Sequence, residues 1–144
     1  MKKVFLISVF LMLAVSYGYS QTYYYKCVAK IGENGEKSKP ESFNKGAYIT
    51  FTNNKSSCYV SDKNGYKVKN DDASYVFKGT KNGTHIYQHY ATHPGTGYSW
   101  SWDIFYYFSS DFDKMQYVNN FHQKTKYEYV RTNGEDDFDD VPTF

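Results

Sequence analysis

The sequence predicts an all-β protein: an antiparallel meander of eight or nine short strands, closed into a lipocalin-like barrel in preference to a β-sandwich. Three observations predict it. Beyond residue 20 the chain has no leucine and takes its apolar residues from Tyr, Phe, Val and Ile, types that suit a pleated surface better than a helix core. Apolar and polar residues alternate with period two over several stretches. Between those stretches stand Asn34-Gly35, Asn64-Gly65, Asn82-Gly83 and Asn133-Gly134, pairs that supply the positive φ angles of two-residue hairpins. Strands joined by tight turns pair antiparallel, and so many of them left flat would expose their edges, which favours closure.

In residues 22–31, Tyr23, Tyr25, Cys27, Ala29 and Ile31 fall on one face and Lys26 and Lys30 on the other. In residues 47–53, Ala47, Ile49 and Phe51 oppose Tyr48, Thr50 and Thr52. Turn signals place further strands at 57–62, 65–69, 74–79 and 84–91. Residues 98–109 alternate most clearly, with Tyr98, Trp100, Trp102, Ile104, Tyr106 and Phe108 opposing Ser99, Ser101, Asp103 and Ser109. Pro94-Gly95 and Ser110-Asp111 mark the reversals on either side, and two last strands follow at 114–119 and 125–131. One β domain over residues 21–131 results. Residues 132–144 read as an acidic, solvated, flexible tail, with Glu135, Asp136, Asp137, Asp139 and Asp140 around Phe138.

Residues 1–20 read as an export signal. Lys2 and Lys3 precede an apolar run from Val4 to Val15, and Gly18 and Ser20 have the small-residue spacing of a cleavage site before Gln21. The run is shorter than the ~20 residues of a membrane-spanning helix, so no transmembrane segment is expected after cleavage; an uncleaved anchor is the alternative. The expected location is periplasmic or extracellular. The mature chain carries 15 basic and 15 acidic residues, a balance unsuited to nucleic acid, which selects clustered Lys and Arg. In an oxidising compartment, Cys27 and Cys58 are expected to form a structural disulfide.

Chemistry is thinly marked. His85, His89 and His93 recur every fourth residue, a metal-binding spacing on a helix. On a strand, four residues span ~13 Å, too far for one ion, so no metal is expected. Tyr98, Trp100 and Trp102 alternate opposite serines and therefore point inward, as core or as the wall of an apolar cavity; an outward row would make a platform for sugar rings. Asp111 with Asp113, and Asp71 with Asp72, fit turns better than calcium loops or acid–base pairs. Gly97-Tyr98-Ser99-Trp100-Ser101 lacks the second glycine of a serine elbow, and no phosphate-cradling loop occurs. No catalytic residue and no cofactor are expected.

The segments YYYKCVAKI, YITFTNNKSSCYVSDKNGY, KGTKNGTHIY, YYFSSDF and KYEYVR together resemble small exported proteins of Bacteroidetes, across about residues 22–131. The resemblance implies secretion, a Cys27–Cys58 pair and an all-β fold, and implies no activity. The functional expectation is a non-enzymatic exported protein that holds a small apolar ligand in the barrel, against Tyr98, Trp100, Trp102 and Tyr106, with His85 or His89 as polar handles. The alternative is an envelope module with a packed core that recognises glycan or protein through Tyr24, Tyr48 and the tail. A hydrolase comes third. Oligomeric state is not legible.

Overall fold

The computed structural model describes residues 20–69, 73–94, 99–121, 124–134 and 138. The predicted leader lies outside the described residues except for Ser20, as do Asp71, Asp72 and most of the tail. The described strands are β1 (Gln21–Ile31), β2 (Lys37–Ser38), β3 (Gly46–Thr52), β4 (Ser57–Ser61), β5 (Tyr75–Lys81), β6 (Thr84–Pro94), β7 (Ser99–Phe108), β8 (Lys114–Asn119) and β9 (Thr125–Thr132). β1 and β3 to β9 pair antiparallel in chain order, and β9 returns to β1, from Tyr24 opposite Thr132 to Ile31 opposite Lys126. The sheet is thus a closed eight-stranded up-and-down barrel, and the two-residue β2 is an appendage on β1.

An eight-stranded barrel is just wide enough for its own side chains to fill, and here rings fill it. Tyr23, Tyr25, Ile49, Phe51, Tyr75, Tyr87, Tyr106, Phe108, Met115, Tyr127 and Tyr129 are buried and packed together. Phe51 is the hub: the rings of Tyr23, Tyr87, Phe108 and Phe112 meet it edge-on at centroid distances of 5.3, 5.6, 5.1 and 5.3 Å, the geometry that aromatic quadrupoles favour.

One end of the barrel, where the tight turns gather, is plugged. Phe112 sits in the β7–β8 turn at a φ of 61° and lays its ring over Phe51 and Phe108. Lys55, in the β3–β4 turn, holds its ammonium 4.1 Å from the Phe112 ring centre and 5.2 Å from that of Tyr23, a cation–π cap. Asn53, Asn54 and Lys55 are three successive left-handed residues, with φ of 51°, 54° and 63°. Side chains disfavour that conformation; here the core holds it, since the Tyr87 hydroxyl donates to the Lys55 carbonyl at 2.6 Å. The β5–β6 hairpin at the same end turns through Asn82 and Gly83, φ 51° and 76°, as the Asn-Gly pair predicts.

Three expectations are corrected by the register. Residues 65–69 do not form a barrel strand: only Lys67 bridges back to Ser61, and the segment folds over the outer face of β3 and β4, where Thr50 and Ser61 are buried and hydrogen-bonded at 2.7 Å. A bulge between Cys27 and Ala29 reverses the facing of β1, so Lys30 stands opposite Tyr127 on the core side rather than with Lys26 outside. The Cys27–Cys58 disulfide is not formed; both residues are buried thiols. Cys58 lies opposite Phe51, and Phe51 opposite Gln21. Cys27 is six residues further along β1, a rise of ~20 Å at 3.3 Å per residue, whereas a disulfide holds Cα atoms within about 7 Å.

Burial pushes the Cys27 thiol up to about 11, so it stays protonated and inert near neutrality. Reductant is expected to leave the melting temperature unchanged, and a thiol reagent at pH 8 to titrate both cysteines only after denaturant is added; prompt native labelling would contradict this packing. The Tyr25 hydroxyl donates to the Phe112 carbonyl at 2.8 Å. Tyr25→Phe keeps the ring but orphans that carbonyl, and should cost about 1–3 kcal/mol in urea unfolding. Phe51→Ala should cost about 3–5 kcal/mol.

Candidate functional site at the loop end of the barrel

The opposite end gathers the longer connections, and its two halves differ. On the β1–β9 side it is tied shut. The segment after β2 turns at Glu41 and Asn44, the Asn44 amide donating to the Glu41 carbonyl at 2.9 Å. The Tyr127 hydroxyl donates to Glu41 Oε2 at 3.0 Å, and the Tyr129 hydroxyl to Asn44 Oδ1 at 3.1 Å. Lys30 Nζ completes the tie on Glu41 Oε1 at 2.5 Å, which the β1 bulge makes possible by turning Lys30 toward Tyr127. Hydrogen bonding from Lys30 lowers the Glu41 carboxyl below its ordinary range and raises the Lys30 ammonium. Desolvation raises the Tyr129 phenol well above its ordinary value.

On the β5–β8 side the end is aromatic and less tied. The β4–β5 ladder has only two pairs, Ser57 with Val76 and Cys58 with Tyr75. Trp102 lies opposite Ala91, on the face that also carries Ile104 and Tyr106, so of the row it is Trp102 that is seen to face inward. Its ring packs on Phe121 at 4.4 Å. Phe121 is brought there by the bend after β8: its amide donates to Asn119 Oδ1 at 2.9 Å and the Asn120 amide to the Asp103 carbonyl at 3.0 Å. Tyr75 bridges His89 and Tyr106, at 5.7 and 4.4 Å between centroids. A shallow depression on the outer wall of β5 and β6 is bounded by Ser74, Val76, Lys78, Gln88, His89 and Tyr90.

The indole Nε1 of Trp102 is buried and, among the described residues, is the one buried side-chain polar atom without a hydrogen-bond partner. Folded proteins leave few such groups, since an unmet buried donor costs about 1–3 kcal/mol.

The six residues expected to line a ligand site are therefore divided. His89 and Tyr106 both meet the ring of Tyr75, and Trp102 stands on the same face nearer the loops, against Phe121. Tyr98 lies outside the described residues, and so does the side chain of Trp100. His85 is separated from them: it lies opposite Phe108, six residues from the Ala91–Trp102 pair, ~20 Å along the strand. There its ring stacks on Phe112 at 4.7 Å. His85 Nε2 donates to the Ser110 carbonyl at 3.3 Å, which leaves Nδ1 to accept from the Thr80 hydroxyl at 2.8 Å. That ring braces the plug. Asp103 stands on the outer face and accepts from the Gln88 amide at 2.6 Å. Phe121 and Tyr75 join the site without having been singled out; neither belongs to an alternating row beside Trp102, and only strand pairing and the bend after β8 bring them in.

Among the described residues no three His, Cys, Asp or Glu side chains converge, and no helix is long and apolar enough to cross a membrane. The chain matches no protein-family model, no curated protein and no solved structure.

The tie at Glu41 has a definite pH dependence. Its carboxyl is depressed in the folded state, so its stabilisation is complete above the ordinary carboxylate value of about 4.3 and is lost as pH falls through the lowered folded value. Glu41→Gln should flatten the acid limb of stability against pH, read as urea midpoints, while the neutral limb keeps its shape. An unchanged acid limb would mean that Glu41 is not held by Lys30 in solution.

Proposed function

We propose that the protein is a non-enzymatic binding protein that receives a small, largely apolar ligand bearing a hydrogen-bond acceptor at the loop end of the barrel. The observation that carries this reading is the buried, unpartnered Nε1–H of Trp102. A ligand oxygen would meet that donor, and Phe121, Tyr75, Tyr106 and His89 would supply ring faces around an apolar body. Access is favoured on this side by the two-pair β4–β5 ladder. The plugged end offers no comparable place, because Phe112 and Lys55 already occupy it. Export to the periplasm or beyond, proposed from the leader sequence, would place such a protein among small molecules outside the cytoplasm.

The test uses 8-anilinonaphthalene-1-sulfonate, an aromatic reporter with acceptor oxygens, on the folded chain. Wild type should enhance its fluorescence saturably and quench tryptophan emission. Trp102→Phe keeps apolar bulk but removes the donor, and should weaken binding about tenfold, the worth of one good hydrogen bond. Its unfolding free energy should stay within about 1 kcal/mol of wild type, since the lost donor had no partner. Equal binding by the variant would refute the role given to the indole.

A further inference from the structure

A second site lies on the outer wall, away from the Trp102 mouth. Tyr24 and Tyr48 face each other across β1 and β3, their rings edge-on at 5.2 Å. Two residues along β3, on the same outer face, comes Gly46, opposite Lys26. The ring of Phe138, the lone aromatic of the acidic C-terminal stretch, is set against this spot and meets Tyr48 at 5.6 Å. A Cβ built on Gly46 would fall 2.6 Å from Phe138 Cε2 and 2.7 Å from its Cδ2 and Cζ. Gly46 is not among the residues with positive φ, so its backbone is one that any residue adopts. What the missing side chain provides is room: a ring lies where every other residue would carry a carbon. Glycine weakens a strand interior, and here that weakness coincides with a close approach.

We propose that the Tyr24–Gly46–Tyr48 wall is a docking site for a phenylalanine set in an acidic segment, and that the chain's own Phe138 fills it in cis. Two features give the occupant its chemistry. The notch admits a flat ring edge-on to Tyr48, and Lys26 and Lys45 flank Gly46 in register and in sequence. The segment carrying Phe138 has Glu135, Asp136 and Asp137 before it and Asp139 and Asp140 after it. β9 ends at Thr132 beside Tyr24, so the tether is only five residues long. A short tether gives an effective concentration in the millimolar range. One ring contact of modest affinity is therefore enough to hold the site in cis, and a partner segment of the same chemistry with higher affinity can displace it.

The experiment uses the full chain, isotope-labelled, with backbone amide shifts as readout. Phe138→Ala should move the amides of Tyr24, Gly46 and Tyr48 and leave those of Phe51 and Tyr106 in place. A synthetic peptide of residues 133–144, at millimolar concentration, should return the moved amides toward wild-type positions in Phe138→Ala and leave wild type unaffected. The same peptide with alanine for phenylalanine should do neither. Gly46→Val, tolerated by the strand backbone, should abolish the peptide's effect on the Phe138→Ala chain while the core amides stay dispersed. Equal response to both peptides would reduce the site to bulk charge and overturn the proposal. A wild-type dimer that dissolves in Phe138→Ala would overturn occupancy in cis and assign the site to a second copy.

Discussion

A tyrosine inside a closed barrel has an apolar ring that the interior welcomes and a hydroxyl that it does not, and the structure is organised by that conflict. Eight strands leave a single layer of side chains between opposite walls. This chain fills that layer with Tyr23, Tyr25, Tyr75, Tyr87, Tyr106, Tyr127 and Tyr129. Four of those hydroxyls are satisfied by the segments that close the ends: Tyr25 on Phe112, Tyr87 on Lys55, Tyr127 on Glu41 and Tyr129 on Asn44. Each bond ties a core ring to a turn or loop far away in sequence. The demand for acceptors therefore pins both rims, and the left-handed run Asn53-Asn54-Lys55 persists because it delivers one of them.

The two rims differ for the same reason. At the turn end the acceptors are main-chain carbonyls of tight turns, which draw Phe112 and Lys55 over the core and leave a plug. At the loop end the acceptors are the side chains of Glu41 and Asn44, which reach only the β1–β9 half. The other half is left to Trp102, Phe121 and Tyr75, where one donor is unmet. Buried polar groups are thus met by tethering loops at both rims, and the indole of Trp102 is the exception among the described residues. The outer wall repeats the theme in reverse: Gly46 withholds a side chain and Phe138 fills the space.

Much of this was legible in the chain. Alternation placed Trp102, Tyr106 and Phe108 on one inward face, and Asn82-Gly83 fixed a hairpin. The barrel followed from strand number and short turns. The candidate site was half legible. Trp102, Tyr106 and His89 share an inward face, with Tyr75 between the last two, whereas His85 shares that face but sits at the other rim. Facing has a period of two and is read locally; height along the barrel depends on register, which a pattern of alternation leaves open. The same gap accounts for the cysteines. Two cysteines behind a leader-like start suggest a pair, yet their separation is set by two successive ladders through β3.

By itself the sequence determined the fold class, the strand order and which face of most strands turns inward, because residue type and alternation act over a few neighbours. Tertiary structure decided which residues share a height. It also turned Lys30 inward through one extra residue in β1, carried Phe121 to Trp102, and seated Phe138 against Gly46. Those outcomes depend on closure: once β9 pairs with β1, every register is locked to every other, and no local stretch of chain contains that condition.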